Sequence, residues 1–150
     1  MKWEDLEKDA KQHIKNSGNT GKVKREEEGL LKYRIKRPKV VKKGWGHELW
    51  IENKPQYCGK LLFIKKGKKC SWHYHKLKDE VFYLQSGKIC LTFGETDSLE
   101  DATMVYLNPG ESFHVPVGLR HQMYAYEDSE LFEFSTEHFD SDSHRVIKGD

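Results

Sequence analysis

An all-β domain, built as two packed sheets or a closed barrel, is predicted for most of this 150-residue chain on two observations. From Gly44 onward the apolar residues come in runs of four to seven, too short for ordinary helices and right for strands. Turn-forming residues separate these runs at close intervals, and many short strands with both faces partly apolar are best satisfied by sheet packing or closure, which removes unpaired edges.

Taken in order, residues 2–16 place Trp3, Leu6, Ala10, His13 and Ile14 at spacings of three and four, which predicts a short amphipathic helix ending near Ser17-Gly18. Residues 19–43 are highly charged and broken by Pro38; they read as an arm, with an edge strand around Leu30–Ile35. The expected organisation is therefore a helix and basic arm over 1–43 and a β-barrel over 44–150. Strands are expected at His47–Ile51, Leu61–Lys65, Ser71–His75, Glu80–Gln85, Lys88–Phe93, Thr103–Leu107, Ser112–Val115, Gln122–Tyr126 and Glu130–Ser135. Between them fall Pro55, Gly67, Ser86-Gly87, Gly94, Asn108-Pro109-Gly110, Pro116 with Gly118, and Asp128-Ser129, all residues that favour turns.

Charge is unevenly distributed. Residues 1–43 hold 14 Lys/Arg against 7 Asp/Glu, whereas 44–150 hold 12 against 17. The basic arm is interrupted by Glu26, Glu27 and Glu28 and has few aromatics, which argues against nucleic-acid binding. No run approaches the ~18–20 apolar residues of a membrane span, and the first residues lack the apolar segment of a signal peptide. Three cysteines, Cys58, Cys70 and Cys90, are odd in number and form no C-x-x-C pair, so neither a disulfide framework nor a thiolate zinc site is indicated. A cytoplasmic protein without membrane association is the expectation.

Chemistry concentrates in two segments. In Gly67–Gly87, His73 and His75 stand two apart, so on a strand their imidazoles share a face. After a turn over Lys76–Asp79, Glu80 opens the next strand and can return a carboxylate to the same place, with Phe82 and Leu84 continuing that face as an apolar wall. In Gly110–His121, a turn built on Pro116 and Gly118 delivers His121 at the start of a strand. Three histidines and one carboxylate with open positions suit a divalent transition metal, Fe, Mn, Ni, Co or Zn, and the spacing does not choose among them. His13, His47, His114, His138 and His144 lack such spacing and read as ordinary surface or packed residues.

These segments resemble the paired cupin motifs G-x5-H-x-H-x4-E-x6-G and G-x5-P-x-G-x2-H at every fixed position, although the asparagine usual in the family stands as Ala125 here. The resemblance implies a jelly-roll β-barrel with His73, His75, Glu80 and His121 as metal ligands. It leaves the reaction open, because one fold hosts many chemistries. Three further stretches resemble the C-terminal cupin domain of type II phosphomannose isomerases. They are Lys43-Gly44-Trp45-Gly46-His47-Glu48, with Gly44 in place of the usual proline; the lysine-bearing Tyr57–Gly67; and the acidic Phe139–Val146, which closes on Arg145. Phe134–Asp140 is similar to cupin domains attached to sugar-biosynthesis enzymes.

This likeness implies a metal-dependent isomerase or epimerase of a sugar or sugar phosphate. In that case the metal polarises an oxygen, and Glu80 and Lys60 are the catalytic candidates. Lys60, Arg145, Glu133 and Tyr83 would contact the carbohydrate. Two other classes stay open: a non-catalytic carbohydrate-binding module and an Fe(II)-dependent dioxygenase. A homodimer is expected, since an arm added to a partner's sheet edge is an economical route to one.

Overall fold

The computed structural model describes residues 36–150 together with Asp5, Lys8, Lys11, Gln12 and Asn16. The chain divides into two compact units, Met1–Arg37 and Pro38–Asp150. In the first unit the five described residues are helical, and Gln12 Nε2 donates to Asn16 Oδ1 at 2.8 Å. The rest of the helix expected over 2–16, and the edge strand expected at Leu30–Ile35, lie outside the described residues.

The second unit is an antiparallel two-sheet barrel. Its strands are β1 (Lys39–Lys43), β2 (Gly46–Lys54), β3 (Tyr57–Ile64), β4 (Trp72–Tyr74), β5 (Glu80–Ser86), β6 (Ile89–Gly94), β7 (Thr103–Leu107), β8 (Ser112–Val115), β9 (Arg120–Ala125), β10 (Ser129–Ser135) and β11 (His144–Ile147). One sheet runs β1-β2-β3-β10-β5-β8 and the other β11-β4-β9-β6-β7. All nine expected strands are present, with ends shifted by a few residues. β1 and β11 were not anticipated as strands. Both are edge strands of four or five residues that present mostly exposed side chains, so their backbone ladders form without an alternating apolar pattern to announce them. The lysines of β1 are the charged residues typical of an exposed edge, and Lys39 Nζ lies 4.7 Å over the Trp50 ring of β2.

Strand alternation decides what the barrel contains. On β3 the inward residues are Cys58, Lys60, Leu62 and Ile64; on β5 Glu80, Phe82 and Leu84; on β9 His121, Met123 and Ala125; on β10 Ser129, Leu131 and Glu133. Along each strand an apolar half gives way to a polar or ionisable residue. The apolar halves meet in one core of Leu62, Ile64, Phe82, Leu84, Met123, Ala125 and Leu131, joined by Trp45, Cys70, Ile89, Leu91, Leu107 and Val115. Each of the leucine, isoleucine, valine, phenylalanine and methionine side chains there contributes roughly 1.5–3 kcal/mol through burial. The β3–β10 register then pairs Leu131 with Leu62 and Glu133 with Lys60, which brings the ionisable ends to one side.

Two glycines are dictated by close approach. Gly87 has φ +92°, and a Cβ there would lie 2.2 Å from Ser129 Oγ. A Cβ at Gly46 would lie 2.0 Å from the Phe63 carbonyl oxygen of the paired strand. The cysteines Cys58, Cys70 and Cys90 are free and buried. Among the described residues no helix is long and apolar enough to cross a membrane.

Candidate metal centre

The histidines at motif spacing converge. His73 on β4 pairs directly with His121 on β9, and His75 follows β4 by one residue. The three rings offer nitrogens that lie within 4.8 Å of one another. Each ring is oriented by the nitrogen it turns away from its neighbours: Nδ1 of His73 meets the Ser71 carbonyl at 2.9 Å, Nδ1 of His75 that of Asp142 at 2.9 Å, and Nδ1 of His121 that of Leu119 at 3.1 Å. A carbonyl oxygen only accepts, so in each ring Nδ1 carries a proton, and the neutral ring then keeps its lone pair on Nε2. Nε2 of His75 and of His121 are buried without a hydrogen-bond partner. Burial and the adjacent His121 hold His73 well below the ordinary imidazole value.

Glu80 joins this group from the first position of β5, only 1% exposed. Its Oε1 lies 3.0 Å from Nε2 of His121 and 3.4 Å from Nε2 of His75, so with the rings in the tautomer just given, two lone pairs face one carboxylate oxygen. Burial opposes ionisation of Glu80, and the Lys78 ammonium group beside it favours the carboxylate. Oε1 of Glu80 and the two Nε2 lone pairs thus converge on one another with no proton between them, an arrangement that a divalent metal satisfies.

The other carboxylate oxygen has a partner that the sequence reading did not identify. Lys78 Nζ, 4% exposed, lies 2.6 Å from Glu80 Oε2 and 2.8 Å from Glu133 Oε1. Burial would lower the Lys78 pKa, but Glu133 and Glu80 raise it above the ordinary lysine value. Beyond Glu133 the chain of charges continues through Lys60 at 3.9 Å to Glu48 at 3.6 Å, and Glu48 also accepts from Trp50 Nε1 at 2.7 Å. Lys43 Nζ, 3.5 Å from Glu48 Oε1, ends the ladder, so three carboxylates alternate with three ammonium groups. Lys78 gave no signal in the sequence because a lysine in a charged turn reads as solvated.

Asp142 organises the turn that carries Lys78. Its carboxylate accepts from the amides of Lys76 at 2.8 Å, Leu77 at 3.1 Å and Lys78 at 3.0 Å, while its carbonyl holds His75. Burial opposes ionisation of Asp142, and these amides outweigh it and lower the carboxyl.

His73, His75, Glu80, Lys60, Glu133 and Arg145 line one cavity of about 360 Å³. Arg145 sits on β11 opposite His73 and forms no ion pair with any described residue. His121, 1% exposed, lies behind that lining against Glu80, whereas Tyr83 is set apart from the group: it alternates with Glu80, Phe82 and Leu84 on the other face of β5 and does not line the cavity. The two-residue period that points Glu80 inward points Tyr83 outward.

His138, read from the sequence as ordinary, also lines the cavity. Asn53 clamps its backbone on both sides, its ring meets Trp50 edge-on at 5.0 Å, and Nε2 lies 3.1 Å from Asp140 Oδ1. Its Nδ1 is buried with no partner among the described residues. Burial and Lys60 lower its pKa, which favours the neutral ring. Nothing in its sequence spacing separates it from a surface histidine, since its environment comes from β2.

The barrel and its motif histidines define a cupin, and the chain belongs to that family: the cupin domain matches residues 60–134, half of the sequence. No curated protein matches it. Among solved structures it resembles the capsular polysaccharide assembling protein CapF of Staphylococcus aureus, with 19% identity and a TM-score of 0.67 over 77% of this chain and 33% of that one. KdgF of Halomonas sp. aligns at 17% identity and a TM-score of 0.59, covering 69% of this chain and 91% of KdgF. Oxalate decarboxylase of Bacillus subtilis, studied for its Mn(II) centres, aligns at 16% identity and a TM-score of 0.61 over 72% and 30% of the two chains. At these identities the likeness establishes the fold. The chain spans about a third of the length of CapF and of oxalate decarboxylase.

Proposed function

We propose that this protein is a metal-dependent cupin acting on a sugar or sugar phosphate, as an isomerase or epimerase. The observation that carries the metal is the pair of buried, partnerless Nε2 atoms of His75 and His121 facing Glu80 Oε1. His73, His75, His121 and Glu80 would hold a divalent transition metal. Bound there, it supplies a Lewis acid that polarises a carbonyl or hydroxyl oxygen.

In this reading the protein's own groups bind and orient. Arg145, on the cavity wall without an ion-pair partner among the described residues, takes a phosphate or carboxylate of the substrate. Lys60 and Glu133, paired at 3.9 Å within the ladder, present a donor and an acceptor to hydroxyls. His138, with Nδ1 buried and unpartnered, accepts a proton from a substrate hydroxyl or carbon. The carbohydrate assignment draws support from the likeness to a capsular polysaccharide assembling protein. A cytoplasmic location and a homodimer belong to the same proposal, and light scattering of the full chain tests the second.

One observation favours a carbohydrate-binding module without catalysis: Lys60, Lys78, Glu48 and Glu133 satisfy one another, which leaves few cavity groups free to react. The test is to strip the full chain with chelator, reload it with Mn2+, Co2+, Ni2+, Zn2+ or Fe2+, and follow hexose phosphates by NMR. Interconversion dependent on metal supports the isomerase. Metal-dependent binding without turnover moves the reading to the module, oxygen consumption with Fe2+ to a dioxygenase, and failure to bind any metal overturns the site.

A further inference from the structure

The buried Lys78 lies between a proposed metal ligand and a second carboxylate, and neither its position nor its partners follow from the motif. Nζ meets Oε2 of Glu80 at 2.6 Å and Oε1 of Glu133 at 2.8 Å, and all three side chains are 4% exposed or less. Glu80 therefore presents its two oxygens to different partners: Oε2 to the ammonium group, Oε1 to His121 and His75 at 3.0 and 3.4 Å. The turn that carries Lys78 is itself fixed, because its amides are gathered on the Asp142 carboxylate. Glu133 is held in turn by Ser135 Oγ at 3.1 Å and by Lys60. The ammonium group thus sits between two anchored carboxylates on an anchored loop.

We infer that Lys78 is a positioning residue for the metal: it occupies Glu80 Oε2, so that Glu80 offers a single oxygen, Oε1, to the histidine cluster. This rests on the metal reading above and adds to it. A carboxylate limited to one oxygen leaves room on the cavity side for a substrate oxygen. Freed from Lys78, Glu80 can turn about its side-chain torsions, and the ligand set loses its preorganisation.

The test is calorimetric titration of the chelator-stripped full chain with Co2+, with melting temperature measured alongside. Lys78→Met lowers Co2+ affinity about 10–100-fold, the usual effect of removing a group that orients a ligand. Because Lys78→Met leaves two buried carboxylates without their cation and can fail to fold, Lys78→Met/Glu133→Gln, which removes one of those charges, is measured as well and shows the same loss. A double-mutant cycle separates positioning from general destabilisation: in a Glu80→Ala background, Lys78→Met causes no further loss of affinity. Wild-type affinity in both Lys78 variants overturns the inference, as does a full loss persisting without Glu80. Failure of the wild-type chain to bind Co2+ overturns the metal reading itself, and this inference with it.

Discussion

Asp142 and His75, 67 residues apart, are joined by a 2.9 Å hydrogen bond from the imidazole Nδ1 to the Asp142 carbonyl, while the Asp142 carboxylate collects the amides of the three residues that follow His75. One residue thereby orients a proposed ligand and the turn leading to the next. Asp142→Ala is expected to cost about 1–3 kcal/mol, since it leaves amides of the turn unpaired. Denaturant unfolding checks the stability, and metal content of the purified variant, expected to fall, checks the coupling to His75.

His75→Ala and His121→Ala are each expected to lose bound metal with the barrel largely intact, because the apolar half of the interior does not depend on either ring. Elemental analysis of protein purified without chelator or nickel resin, read beside circular dichroism, decides this. Unchanged metal in both variants would remove the site as drawn.

Leu84→Ala tests the other half of the barrel. Leu84 is fully buried among apolar neighbours, so the truncation should cost about 2–5 kcal/mol. Metal stoichiometry of the folded fraction should stay at the wild-type value, which would show that core and site separate along β5.

Glu48 gives the ladder a pH signature. Burial opposes its ionisation, but Lys60, Trp50 and Lys43 outweigh this, so its folded pKa lies below the unfolded value of about 4.3. A lowered carboxyl pKa stabilises the fold above the unfolded value and loses that contribution as pH falls through the folded one. Glu48→Gln should therefore be about 1–3 kcal/mol less stable than wild type at pH 7. The gap should narrow as pH drops below about 4.3, and unfolding curves at several pH values measure it.

Much of the site was legible because its spacing is local. His73, His75 and Glu80 lie close together in the chain, on two successive strands whose two-residue period decides which side chains turn inward even though the turn between them crosses from one sheet to the other, and His121 follows a turn that proline and glycine announce. The same period, applied to β5, already excludes Tyr83, since it is out of phase with Glu80. Lys78 and His138 were not legible. Each sits in a charged or irregular stretch, and its burial depends on strands distant in sequence: Glu133 on β10 for Lys78, Asn53 and Trp50 on β2 for His138.

The chain by itself determined that this is an all-β domain and which histidines could meet, because strand alternation and turn chemistry act over a few residues and leave their mark in order. Tertiary structure alone decided how the charges pair: that Lys60 and Lys78 are buried, that they alternate with Glu48, Glu133 and Glu80, and that Arg145 is left on the cavity wall. The physical reason is that the energy of a buried charge depends on which opposite charge lies within a few ångströms, and sheet register across distant strands sets that distance.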